Sequence, residues 1–147
     1  MSLSDWARNG WLVEHKTSPQ EIKDLLGVVV RDLRDCAAKG LSDDWRLAIA
    51  YNAALHCATA ALAASGYRAS RDAHHFRVIQ SLSLTLGVDN TLIKQLDAFR
   101  KKRNVSDYER AGAVSTAEVE EIAKLAGALR KRLEDWLRQN HPGLLPK

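Results

Sequence analysis

The stretch from Leu47 to Ala64 limits what this chain can fold into more than any other part of it. It is long and apolar enough to resemble a membrane span, yet Asn52, His56 and Thr59 cross it. Hydrocarbon would have to accept that row of polar groups, so the stretch reads as a helix buried in protein. Ala48, Ala50, Ala53, Ala54, Ala58, Ala60, Ala61, Ala63 and Ala64 leave its surface smooth almost all round. A helix apolar on every side belongs at the centre of a bundle, where small residues let neighbouring backbones approach closely. Part of that surface is also suited to a subunit interface.

The rest of the chain is punctuated for helices around this centre. Ser18-Pro19-Gln20-Glu21 sets a capping Ser, a first-turn Pro and an N3 Glu in the order of a helix start. The spacing predicts a helix from there to about Lys39, with Ile22, Leu25, Leu26, Val29 and Leu33 on one face and Gly40 as the stop. Ser42 caps the central helix, which runs to Ser65. Ser70 or Asp72 opens a third helix ended by Gly87, and Asp89 or Asn90 opens a fourth that carries Leu92, Leu96 and Phe99. Ser115-Thr116-Ala117-Glu118 is a second capping box and opens a fifth helix reaching about Gln139. No segment shows the alternation of a half-buried strand. The fold class expected is all-α, an antiparallel bundle of four to five helices. With 147 residues, no internal repeat and no linker, it should form one domain, with a core at about 18–139 and extensions at 1–17 and 140–147.

Several chemistries are set aside at once. There is no glycine-rich phosphate loop after a strand and no nucleophile elbow. Cys36 and Cys57 lack metal-ligand spacing and read as buried, reduced thiols, and no metal or other cofactor is expected. The chain does not open on a basic segment followed by an apolar core, so a cytoplasmic protein with no membrane association is expected. Trp6, Trp11, Trp45 and Trp136 are too scattered to predict a base-stacking platform, and Trp45 and Trp136 are expected in the core.

Three groups remain that could carry chemistry. The net charge of +4 is small, but four cations, Arg100 to Arg103, are consecutive. Such a run at a helix end ordinarily complements the helix dipole and sits in water. Arg103 differs because it continues the stripe of Leu92, Leu96 and Phe99, so its side chain should point with the core face. A guanidinium there must pair internally, with Asp107 one turn later, or line a cleft. The second group is the row Asn52, His56, Thr59, in phase with Trp45 and Ile49. It is either a set of satisfied core residues or one side of a wet seam. The third is His74-His75, expected at a helix start near the surface.

Two of these stretches carry a resemblance. Ala50-Tyr51-Asn52-Ala53-Ala54-Leu55-His56-Cys57-Ala58, followed by Ala63-Ala64-Ser65-Gly66-Tyr67-Arg68 and His74-His75, resembles the middle of HEPN-domain proteins. Phe99-Arg100-Lys101-Lys102-Arg103-Asn104-Val105-Ser106-Asp107-Tyr108-Glu109 resembles that family's Arg-Asn segment, and the likeness runs from about Ser18 to Arg138. The resemblance implies a helical bundle that commonly dimerises, bringing two Arg-bearing segments across a shared cleft. Active members are metal-independent RNases of toxin and defence systems, with a motif of Arg, a polar residue, then His a few positions on. Arg103 and Asn104 match the first two positions. Tyr108 stands where the His is expected, and no His occurs between Arg103 and His141. An unperturbed Tyr, with a pKa near 10, is a poor base at neutral pH.

The expectation drawn from residues and resemblance together is a homodimeric RNA- or nucleotide-binding module without ordinary RNase catalysis. Arg103 would grip phosphate, with Asn104, Asp107, Tyr108, Arg100 and His56 around it. The resemblance also implies a small nucleotidyltransferase as a partner. The alternatives are a metal-independent endoribonuclease using His56, His74 or His75 from another helix, and a non-catalytic helical adaptor in which Arg103 sits in a salt-bridged turn.

Overall fold

A computed structural model describes residues 1–72, 74–108 and 112–145, with the backbone alone for 105–108. Seven α-helices and a pair of very short strands are formed by the described residues. In chain order they are α1 (Leu3–Arg8), β1 (Leu12–Glu14), α2 (Pro19–Asp35), α3 (Asp43–Ala64), β2 (Tyr67–Ala69), α4 (His74–Gln80), α5 (Leu82–Thr85), α6 (Asn90–Tyr108) and α7 (Thr116–Asn140). A 3-10 turn at Pro142–Leu144 follows. The protein is an all-α bundle built around α3.

The central position of α3 follows from its composition. Fourteen of its 22 residues are buried, including all nine alanines, Leu47, Tyr51, Leu55, Cys57 and Leu62. α2, α4, α5, α6, α7 and β2 all pack against it. By length and composition alone α3 could cross a membrane, but 78% of its apolar window is buried inside the protein. α2 contributes Ile22 and Val29 to the core, α6 contributes Ile93, Leu96 and Phe99, and α7 contributes Val119, Ile122, Ala126, Leu129, Leu133 and Leu137. On α7 these fall three and four residues apart, the period that keeps one face inward.

The caps form largely where their residues predict them. Ser18 accepts from the Glu21 backbone N–H, Ser42 from that of Trp45, and Ser115 and Glu118 complete a reciprocal capping box. The Asp89 carboxylate accepts from the Leu92 N–H at 2.9 Å and so opens α6. After α3, Gly66 adopts φ +95°, a conformation open to glycine at little cost. That turn sends the chain straight into β2.

Four details depart from expectation. α2 ends at Asp35, before Lys39, because Arg46 on α3 donates from Nε to the Cys36 carbonyl at 2.8 Å and satisfies that end. The third helix is two pieces, α4 and α5, separated at Ser81, whose buried hydroxyl donates to the Val78 carbonyl at 2.6 Å. β1 and β2 pair antiparallel, Leu12 opposite Ala69 and Glu14 opposite Tyr67, and three residues are too few to show alternation in the sequence. With α1 they tie residues 1–17 to the bundle, and Trp6 and Leu12 join the core. Finally, Trp45 is 63% exposed and is not a core residue. It lies in the first turn of α3, where no neighbouring helix covers it. Trp136, in contrast, packs half-buried against the core.

Candidate functional site

The side chains that could act on a ligand gather where α3, α4 and α6 meet. On α6 the apolar stripe buries Leu96 and Phe99 and then delivers Arg103 to the same face. Arg103 is half-buried, and its guanidinium carbon stands 5.7 Å from the centre of the Tyr51 ring. A guanidinium over an aromatic face is held by the ring quadrupole without being neutralised. Tyr51 itself comes from the middle of α3 and is fully buried. Its hydroxyl is buried with no hydrogen-bond partner among the described residues. Burial pushes its pKa up to about 12, against the pull of Arg100 and Arg103, so it stays a neutral phenol at physiological pH.

α4 brings two histidines to the same place. The His75 ring lies 6.3 Å from the Tyr51 ring, and the His74 ring lies edge-on to His75 at 5.8 Å. Burial lowers the His75 pKa below its ordinary value, and the charge of Arg103 lowers it further, followed by His74, Arg100 and His56. His75 is therefore neutral at pH 7 and able to accept a proton. Phe76, the next residue, lies 5.7 Å from the Arg100 guanidinium.

The basic run is less free than its sequence implies. Arg100 pairs with Asp97 at 2.7 Å, Lys101 reaches the same carboxylate at 3.5 Å, and Lys102 meets Glu118 at 3.5 Å. Asp97 is well covered while the Lys101 side chain is 70% exposed, so Lys101 contributes a solvated charge and Arg100 a fixed one. Asn104 is exposed. α6 continues through Tyr108, which places Asp107 one turn beyond Arg103. The expected partners Asp107 and Tyr108 have side chains outside the described residues.

The structure separates the polar row of α3 from this cluster and turns it toward α2. Asn52 donates from Nδ2 to Asp32 Oδ2 at 2.6 Å, His56 Nδ1 meets the Asn52 carbonyl at 2.9 Å, and Thr59 donates to the Leu55 carbonyl at 2.9 Å. All three are half-buried, and each is satisfied. His56 lines an open groove of about 420 Å³ with Glu21, Asp24, Leu25 and Val28 of α2. It reaches the α4 cluster only as a charge felt at His75. Of the residues proposed from sequence, Arg103 and Arg100 thus meet, together with His74 and His75, while His56 faces the α2–α3 seam.

Sequence reasoning missed two contributions. Tyr51 had no signal of its own beyond its place in the resemblance, being one more large residue on an apolar helix. The indoles of Trp6 and Trp11 meet edge to face at 5.6 Å, and Arg77 lies 3.8 Å from the Trp11 ring centre. The contiguous run His74-His75-Phe76-Arg77 was the available clue, since a helix start so rich in rings and charge is rarely a packing element. Among the described residues, no group of three or more His, Cys, Asp or Glu side chains is placed to hold a metal ion. Cys36 and Cys57 are buried free thiols, their pKa values raised chiefly by burial. No protein-family profile and no curated protein sequence matches this chain.

Proposed function

We propose that this protein is a HEPN-like module of the cytoplasm that binds RNA or a nucleotide through its phosphates, with Arg103 as the principal grip. The observation that carries the reading is Arg103 held half-buried over the Tyr51 ring, on the face that its own helix otherwise buries. A guanidinium so oriented offers a planar donor fork to an anion, and less of its freedom is left to lose on binding. Arg100, fixed by Asp97, lies beside it. A second copy of the chain is a partner that the resemblance implies, and Trp45, 63% exposed at the start of the central helix, offers apolar surface to it. A small nucleotidyltransferase is a further partner that the resemblance implies.

The test is equilibrium binding of RNA at two salt concentrations, with Arg103→Ala compared to Lys101→Ala. Arg103→Ala should weaken binding at least about tenfold, the loss of one charge-assisted contact, while Lys101→Ala should cost little. Affinity should fall as salt rises, by counterion release. Equal effects of the two substitutions would overturn the reading. Light scattering should report a dimer at micromolar concentration.

A second reading is favoured by His75. A neutral imidazole beside the Arg103 cluster is what a metal-independent endoribonuclease would require as its general base. Incubation with structured RNA in the presence of a chelator separates the two readings. Cleavage abolished by His75→Gln would establish the enzyme, whereas binding without cleavage supports the module.

A further inference from the structure

Beyond the phosphate grip, one stretch of surface combines aromatic rings with arginines. Arg68, Arg71 and Arg77 lie on the segment that runs from β2 into α4, against a single acid, Asp72. None of the three has an acidic partner among the described residues. Elsewhere the arginines Arg8, Arg31, Arg34, Arg46, Arg130 and Arg138 are each paired with a carboxylate. Arg132 donates instead to the carbonyls of Leu86 and Gly87.

Arg77 is the best defined of the three. Its guanidinium carbon is 3.8 Å from the Trp11 ring centre and 5.5 Å from that of Phe76. Trp11 is braced in turn by the edge of Trp6, and its carbonyl accepts from the Ser70 N–H at 3.0 Å. The guanidinium is therefore held against an indole by a cation–π contact, half-buried, with the Phe76 ring beside it. Phe76 lies between Arg77 and Arg100, within 5.7 Å of the latter. The sequence of contacts Trp11, Arg77, Phe76, Arg100 leads directly to the Arg103 cluster.

We infer that this ladder is a base-stacking track for single-stranded RNA, extending the phosphate grip at Arg103 along α4 to Trp11. Single-strand binders combine cations that follow the backbone with flat surfaces on which bases stack, and an arginine plane backed by an aromatic ring serves as such a surface. Arg68 and Arg71, both exposed, supply charge along the same edge. The track has no set of groups that could read base edges, so binding is indifferent to sequence and dependent on length.

This inference rests on the grip proposed at Arg103, and the experiment keeps the two apart. Binding of a dinucleotide and of an oligouridylate of about 8 nucleotides is measured by fluorescence anisotropy for the full chain, Arg77→Gln, Arg77→Lys and Arg103→Ala. The longer ligand should bind the unaltered protein more tightly. Arg77→Gln should weaken it about tenfold, the value of one stacked base, and leave the dinucleotide unchanged. Arg77→Lys keeps the charge and loses the plane, so it should resemble Arg77→Gln. An Arg77→Lys variant equal to the unaltered protein would overturn stacking. Arg77→Gln without effect on the longer ligand, while Arg103→Ala abolishes binding of both, would overturn the track and leave the grip standing. Failure of the unaltered protein to bind either ligand would overturn both. Unlabelled oligouridylate should displace the labelled RNA and a glutamate oligomer of similar charge should not; equal displacement by the two would overturn stacking.

Discussion

Asn52 on α3 donates to a carboxylate oxygen of Asp32 on α2 across 2.6 Å, and Asp32 is only 5% exposed. The other oxygen of that carboxylate is held by Arg31, whose side chain reaches it from solvent. The amide is therefore the inner partner of a nearly buried charge. Replacing Asn52 with Ala removes it and leaves that oxygen to whatever water can enter. The expected cost is about 2 kcal/mol, the range for a hydrogen bond to a charged group, read as a lower urea midpoint. A variant as stable as the parent would mean that water replaces the amide fully.

His75 should make stability depend on pH below neutrality. Its folded pKa is lowered from the ordinary 6.5, so the unfolded chain binds the proton more readily than the folded one. The stability it contributes is fully present above pH 6.5 and is lost as pH falls from there through the lower folded value. Thermal melts between pH 8 and pH 5, roughly spanning this range, should show a smaller decline for His75→Gln than for the parent. Parallel curves would show that the burial of His75 has no energetic consequence.

The buried Tyr51 hydroxyl leads to an opposite expectation. Its oxygen gains no hydrogen bond among the described residues, so Tyr51→Phe removes a desolvated polar atom and keeps the ring under Arg103. An unmatched buried hydroxyl costs on the order of 1–3 kcal/mol, and the phenylalanine variant should be equally or more stable in a thermal melt. A clear loss of stability would show that the hydroxyl is engaged in solution.

Tyr108→His tests the resemblance itself. If the Arg-Asn segment is of HEPN type, the substitution returns a group that titrates near neutrality at the motif's third position. The variant should gain metal-independent RNase activity, measured on structured RNA with chelator present, and should lose it again on Arg103→Ala. No gain in a folded variant would count against the motif.

What could be read from the chain, and what could not, divides along physical lines. The start of α2, the extent of α3 and both ends of α7 were legible because caps and glycines act within a few residues of the atoms they satisfy. The centrality of α3 was legible because nine alanines admit few other surroundings. Trp45 was misplaced because helical phase says which side a residue takes and not whether a neighbour reaches that far. β1 and β2 were missed because a three-residue strand is stabilised by its partner, which lies far along the sequence. For the site, Arg103 was legible from the stripe it interrupts. Its neighbours Tyr51 and His75 were not, since the meeting of α3, α4 and α6 is set by packing between elements.

The alanines of α3 also govern how a chain of this design can diverge. Where a contact is made through a methyl group, any larger side chain has to displace an entire neighbouring helix, and no rotamer change can absorb it. Most of the circumference of α3 is closed to substitution for that reason. Novelty in this helix is confined to its first turn, where Trp45 stands 63% exposed and volume can be added outward. Descendants of such a protein would keep the axle and change only what is mounted at its end.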